Sequence, residues 1–257
     1  MSLSNKTALV TGSTSGIGLG IAKALAQQGA NLVMNGFGDV QAAMQEVAAL
    51  GGRVEHHPAD LARPSDIADL MRFASDRFGG VDVLVNNAGI QHVAPLEAFR
   101  AEHWDAILAV NLSATFHTTR LALPAMRAAN WGRIINIASV HAVVASVNKA
   151  AYVAAKHGIV GLTKATALET ATSGITCNAI CPGWVRTPLA LKQVQDRAQA
   201  LGIDEQEATR LCLGEKEPSM QFTTTQDIGQ LALFFCSPAA SNVRGVAWAM
   251  DGGWTAQ

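Results

Sequence analysis

The chain has 257 residues, is 49% hydrophobic and 15% charged, and sets 19 Lys and Arg against 20 Asp and Glu for a formal net charge of −1. A balance so near zero leaves no electrostatic footprint for nucleic acid or an anionic membrane, and no apolar stretch approaches the roughly 20 residues of a membrane span. The composition suits a compact chain that buries a large core.

Along the chain, short apolar runs alternate with helical patterns. Residues 7–11, 31–35, 53–57, 82–86, 133–138, 175–180 and 246–250 read as strands. Several are continuous in Ala, Val, Ile and Leu, as parallel strands buried on both faces require. Between them, 18–28, 41–50, 65–78, 101–129 and 151–172 carry helical patterns. Strand–helix alternation implies right-handed crossovers and an open α/β sheet, doubly wound with helices on both faces. Residues 186–221 break the rhythm: they are polar, carry no strand signal and read as one or two short helices. So long an excursion beyond a strand suits either a lid over a site or a solvated surface insertion. No repeat or linker divides the chain, so residues 1–257 are read as one domain, with 186–221 as a lid within it. The N-terminal residues lack a basic segment followed by an apolar core, and a cytoplasmic protein is expected. Cys177, Cys181, Cys212 and Cys236 form no CxxC and no zinc-type spacing, so reduced, mostly buried thiols and no metal site are expected.

Three motifs carry chemistry. The first strand runs into Gly12-Ser13-Thr14-Ser15-Gly16-Ile17-Gly18, which opens a helix. Glycines there let the backbone turn tightly against a pyrophosphate, whose charge a helix N-terminus favours. The fourth strand ends in Asn86-Asn87-Ala88-Gly89, at the carboxyl edge where open sheets bind ligands. Tyr152-Val-Ala-Ala-Lys156 sets a phenol and an ammonium one helical turn apart. A fixed positive charge nearby favours the phenolate, so Lys156 is expected to lower the Tyr152 pKa and fit it for proton exchange with an alcohol or carbonyl.

With Asn111, Ser139 and Pro182-Gly183, these residues resemble the short-chain dehydrogenase/reductase family over almost the whole chain. The likeness implies one Rossmann-like domain with a seven-stranded parallel sheet, assembled as a homotetramer. It implies that Tyr152 is the general acid/base, that Ser139 bonds the substrate oxygen, that Lys156 tunes Tyr152 and binds the nicotinamide ribose, and that Asn111 holds a relay water. The implied cofactor contacts begin at Gly12, Thr14, Ser15, Gly16, Ile17 and Gly18. Phe37 lies at the adenosine end, and Asp60 and Leu61 at adenine. Asn87, Ala88, Gly89, Tyr152, Lys156, Pro182, Gly183, Val185 and Thr187 complete the set. Members that prefer NADP place a base in the glycine loop or after the second strand. Here Ser13, Thr14 and Ser15 fill the loop and Asn35-Gly36-Phe37-Gly38-Asp39 ends the strand, so NAD is expected.

The substrate end offers Gln91, His141, Lys149 and Gln193 as a cation with amide and imidazole donors, and Trp184 as a wall for a small cavity. Together with Ser139-x-His141, Asn148-Lys149 and Asp251-Gly-Gly-Trp254, they resemble the branch of the family that oxidises D-3-hydroxybutyrate. That likeness implies a small hydroxy-acid substrate whose carboxylate is held by Gln91, His141, Lys149 and Gln193, beside Ser139, Tyr152 and Trp184. Two other readings remain open: a family member of another specificity, such as a 3-oxoacyl-thioester reductase, and a non-catalytic nucleotide-binding sensor.

Overall fold

The computed structural model describes residues 2–257. Seven parallel strands form one sheet in the order β3-β2-β1-β4-β5-β6-β7. They are β1 (Thr7–Val10), β2 (Asn31–Asn35), β3 (Val54–His57), β4 (Val83–Asn86), β5 (Gly132–Ile137), β6 (Ile175–Pro182) and β7 (Ala247–Met250). The strands β1, β4, β5 and β6 are buried at every residue, which accounts for the runs of Ala, Val, Leu and Ile within them.

Successive strand residues feed opposite faces. Ala8 and Val10 pack with α1 (Gly16–Gln27) and α9 (Thr225–Cys236) through Ile21, Leu25, Ile228 and Phe235. Leu9 and Leu84 join the other layer, α3 (Pro64–Phe78) and α5 (Ala114–Ala128), through Ile67, Leu70, Ala122 and Met126. The protein is a doubly wound α/β unit, as the alternation predicts. Between β1 and β4 the strand order reverses, which opens a crevice above their carboxyl ends.

Two differences from the sequence reading matter. The pattern over 101–129 is not one helix: α4 (Ala101–Leu108) passes through a π-helical turn at Ala109–Ser113 into α5. Such turns insert a residue into the helical ladder and gather at functional positions, and this one carries Asn111. The helix α9 was not foreseen; Thr224 and Asp227 close a capping box at its start. The remaining helices are α2 (Val40–Ala48), α6 (Ala150–Glu169), α7 (Pro188–Leu201) and α8 (Glu205–Gly214). The last two fill the polar excursion. Its two ends meet in an isolated bridge between Val185 and Thr223, and its small core joins Val194, Ala198, Ala208 and Cys212 with Trp184 and Phe222. Among the described residues, no helix is long and apolar enough to cross a membrane, and all four cysteines are buried and unpaired.

Candidate active site

The crevice begins at the glycine loop. Gly12 adopts φ +61, and a Cβ there would lie 2.9 Å from Ala88 Cα. A Cβ on Gly18 would lie 2.3 Å from the Gly12 carbonyl, so Gly18 permits the tight turn rather than lining the crevice. Asn87 staples the loop to β4: its side-chain amide donates to the carbonyls of Thr11 at 2.8 Å and Gly12 at 3.0 Å. Thr11 Oγ1 accepts in return from the N–H groups of Asn87 and Ala88. Ser15 precedes α1 without capping it by its side chain, so the first-turn N–H groups stay open to an anion.

A cavity of about 530 Å³ extends from this loop, lined by Thr14, Ser15, Gly16, Ile17, Phe37, Asp60, Leu61, Asn87, Ala88, Gly89 and Thr187. Gly36, Ala59 and Val110 also line it and were not foreseen, because only the packed fold brings them to the crevice. Asp60 is the one charged residue in this lining. Asp39 is spent elsewhere, capping α2 through the Ala42 N–H at 3.0 Å. A glycine cradle, an open helix N-terminus and an adjoining cavity of about 540 Å³ at Ser139, Tyr152, Lys156, Pro182 and Gly183 fit a dinucleotide in outline and chemistry.

At the inner end, α6 presents Tyr152 and Lys156 on one face, and Ser139 follows β5. Lys156 is buried, and its Nζ donates to the Ile137 carbonyl at 2.7 Å while lying 5.5 Å from the Tyr152 ring centre. The expected effect on the phenol is therefore corrected. Burial raises the Tyr152 pKa, a hydrogen bond from Ser139 opposes that rise, and Lys156 does not set it here. The ammonium spends its charge on a carbonyl, and burial brings it down to about 8. Asn111 differs too. It is fully buried and lines none of these cavities; its Oδ1 accepts from the Ile90 N–H at 2.8 Å and its Nδ2 donates to the Ile90 carbonyl at 3.0 Å. The π turn aims this side chain at the loop after β4, where it fixes the Ile90 backbone.

A smaller cavity, about 160 Å³, opens beside Ser139 and Tyr152 and is lined by Gln91, His141, Lys149, Trp184 and Gln193. All the substrate-end residues proposed from sequence therefore converge. Asn148, at φ +64, turns the chain just before α6 and places Lys149 at the cavity, where burial lowers its pKa. Val185, expected against the cofactor, lines this cavity instead. His141 is already engaged at both ring nitrogens, Nδ1 with Ser139 Oγ at 3.2 Å and Nε2 with Ser146 Oγ at 2.9 Å. Burial, then the charge of Lys149, holds its pKa down to about 4, so the ring is neutral. His92, next to Gln91 in sequence, turns away to stack on His103 with ring centres 3.9 Å apart. Trp254 was missed as a wall of this cavity; its ring meets His141 edge-on at 5.4 Å. The signal was a large aromatic after Asp251-Gly252-Gly253, but only the fold returns that tail to the crevice.

A family model described as short chain dehydrogenase matches residues 6–198. The chain is similar to "D-beta-hydroxybutyrate dehydrogenase" of Cupriavidus necator, 63% identical over 257 residues, covering 99% of this chain and 100% of that one. The protein of the same name from Rhizobium meliloti is 54% identical over 256 residues, with 98% and 99% covered. Among solved structures, a variant actinorhodin polyketide ketoreductase with NADPH superposes with a TM-score of 0.91 at 33% identity, covering 99% of each chain.

Proposed function

Because this chain belongs to the short chain dehydrogenase family, we propose that it is the oxidoreductase that converts D-3-hydroxybutyrate to acetoacetate with NAD. The observation that carries this reading is the convergence of Lys149, Gln91 and Gln193 on a cavity of about 160 Å³ that also holds Ser139 and Tyr152. One end of that cavity offers a cation and two amides to a carboxylate; the other offers an acid/base pair to an oxygen. The two relatives' names point the same way.

Bound NAD supplies the hydride acceptor. The chain's own task is to orient the hydroxyl and move its proton. Ser139 donates to the substrate oxygen, and Tyr152 takes the proton when the alcohol is oxidised and returns it when the ketone is reduced. Burial favours the neutral phenol, which suits the acid in reduction. The hydrogen bond from Ser139 favours the phenolate needed for oxidation, and Lys156, 5.5 Å from the phenol ring centre, is placed to bind the nicotinamide ribose. Lys149 supplies a charge-assisted contact to the carboxylate, and Trp184 and Trp254 close the cavity around a four-carbon acid.

The lining of the adenosine end supports NAD over NADP. No basic residue lines it, so nothing in the lining would neutralise the charge of a ribose phosphate. The test is cofactor reduction, followed by absorbance, with each enantiomer of 3-hydroxybutyrate and with NAD and NADP in turn. We expect turnover of the D enantiomer and a much higher efficiency with NAD. Preference for NADP would overturn the cofactor choice, and inactivity on the D enantiomer would overturn the substrate.

A further inference from the structure

The turn after β2 borders the adenosine cavity with Asn35, Gly36 and Phe37, and little packing holds it there. Gly36 and Gly38 both adopt positive φ, at +144 and +92, and the Phe37 side chain is 67% exposed. Two side chains from other elements hold its backbone instead. His56 on β3 reaches the Gly36 carbonyl through Nε2 at 2.9 Å, and Thr14 Oγ1 donates to the next carbonyl, that of Phe37, at 2.6 Å. We propose that His56 is a positioning residue for the cofactor: by holding the Gly36 carbonyl it turns the Phe37 N–H towards the adenosine cavity, to donate to a ribose oxygen of the dinucleotide. The proposal rests on the dehydrogenase reading above and deepens its cofactor end.

A carbonyl only accepts, so Nε2 carries the hydrogen of this contact. The peptide that joins Gly36 to Phe37 is planar and trans, and its C=O and N–H point in opposite directions. Once the carbonyl is fixed on His56, the N–H is fixed as well and points away from β3. Because β2 lies between β3 and β1, that direction is the side of the glycine loop and of the cavity. Among the described residues, the Phe37 N–H donates to no backbone acceptor. A backbone donor needs a partner, and here a ligand oxygen can be one. A side chain at Gly36 could not take over the task. A Cβ there would lie 2.7 Å from Thr14 Oγ1, so a carboxylate or amide at 36 would displace the threonine that holds the Phe37 carbonyl. Asp39, the acid of this turn, caps α2. The turn is left with backbone to offer a ribose, and that backbone is aimed by its two tethers. His56 does not line the cavity, so it acts through Gly36.

His56 is half-buried on the edge strand of the sheet, so its substitution spares the core. Calorimetric titration with ADP-ribose, the part of NAD that lacks nicotinamide, reads the contact without turnover. His56→Leu keeps bulk and removes the donor. We expect its Kd for ADP-ribose to rise roughly 3- to 10-fold, the loss of about one hydrogen bond, and KM for NAD to rise by a similar factor. Its kcat at saturating NAD should not fall, because Ser139 and Tyr152 lie at the other end of the crevice. His56→Gln, whose amide can donate to the same carbonyl, should regain the affinity, which a merely structural role for the imidazole would not allow. An unchanged Kd in His56→Leu, a fall in kcat with Kd preserved, or a His56→Gln protein as weak as His56→Leu would each overturn the proposal. Should the wild type bind ADP-ribose without turning over D-3-hydroxybutyrate, the substrate reading fails while the titration still decides the role of His56.

Discussion

Lys149 brings its charge into a cavity where burial already lowers its pKa, so an incoming carboxylate gains more from it than from a solvated ammonium. A hydrogen bond to a charged group contributes about 1.5–3 kcal/mol, and Lys149→Ala is expected to lower kcat/KM for 3-hydroxybutyrate about 10- to 150-fold, mainly through KM. A neutral ester of the same acid should lose much less; equal losses on acid and ester would mean that Lys149 supports the local fold. Tyr152→Phe keeps the ring and removes the proton carrier. Turnover is expected to fall by about 10²–10⁴-fold while NADH binding, read by fluorescence, persists. Activity within a few-fold of wild type would assign the proton to another group. Glu217 shows itself through stability. It is buried, accepts from the Trp184 N–H, and leaves Oε2 without a partner. Burial, with the like charge of Asp251, raises its pKa from 4.5 to about 7. Between those values the folded chain keeps a proton that the unfolded chain has released, so this contribution falls as pH rises from 4.5 towards 7 and is gone above it. Glu217→Gln retains an oxygen for Trp184 and cannot ionise. Its stability relative to wild type, measured by urea unfolding, should rise across that window, and a difference independent of pH would exclude the carboxyl as the cause.

At the scale of elements, α7 and α8 form a unit with its own small core, tied at its base by Arg186 N–H to the Thr223 carbonyl and Thr223 N–H to the Trp184 carbonyl. A segment packed on itself and hinged at two close strands of chain can move as one body. Leu189 borders all three cavities yet is 64% exposed, an apolar side chain that closure would cover. We therefore propose that α7 and α8 close over bound substrate and bring Gln193 to the carboxylate. Cofactor with a substrate analogue should slow proteolysis within 186–221 several-fold, and equal cleavage with and without ligands would remove the lid. The helical excursion was legible in its polarity, but its partner contacts were not. The π turn at Ala109–Ser113 illustrates the same limit. Its sequence, Ala-Val-Asn-Leu-Ser, continues a helical pattern, and the inserted residue follows from the demand of Ile90 for partners 21 positions away.

For the whole molecule, the sheet ends at β7, whose Trp248 is 40% exposed, beside an exposed Ala249. An edge strand offers unpaired N–H and C=O groups, which proteins cover or pair. We propose the homotetramer that the family likeness implies, with the β7 edge among its contacts. Light scattering should return about four times the 26.9 kDa of one chain, and Ala249→Glu should lower that mass. A monomer for the wild type would refute the assembly.

Local rules determined much of this protein. Runs of Val, Ile and Leu between helical periods specified parallel strands, the glycines between the first strand and helix specified a nucleotide turn, and residues four apart on α6 specified that Tyr152 and Lys156 share a face. Each of these depends on neighbours within a few residues, which the sequence displays directly. Where a polar atom finds its partner does not. Lys156 bonds a carbonyl 19 residues away and Glu217 takes an N–H from 33 away. Burial forces such polar groups to find partners, and only the packed chain decides which are within reach. The direction of Lys156, the turning of Asn111 to Ile90, the engagement of His141 with two serines and the return of Trp254 to the cavity were accordingly settled by tertiary structure.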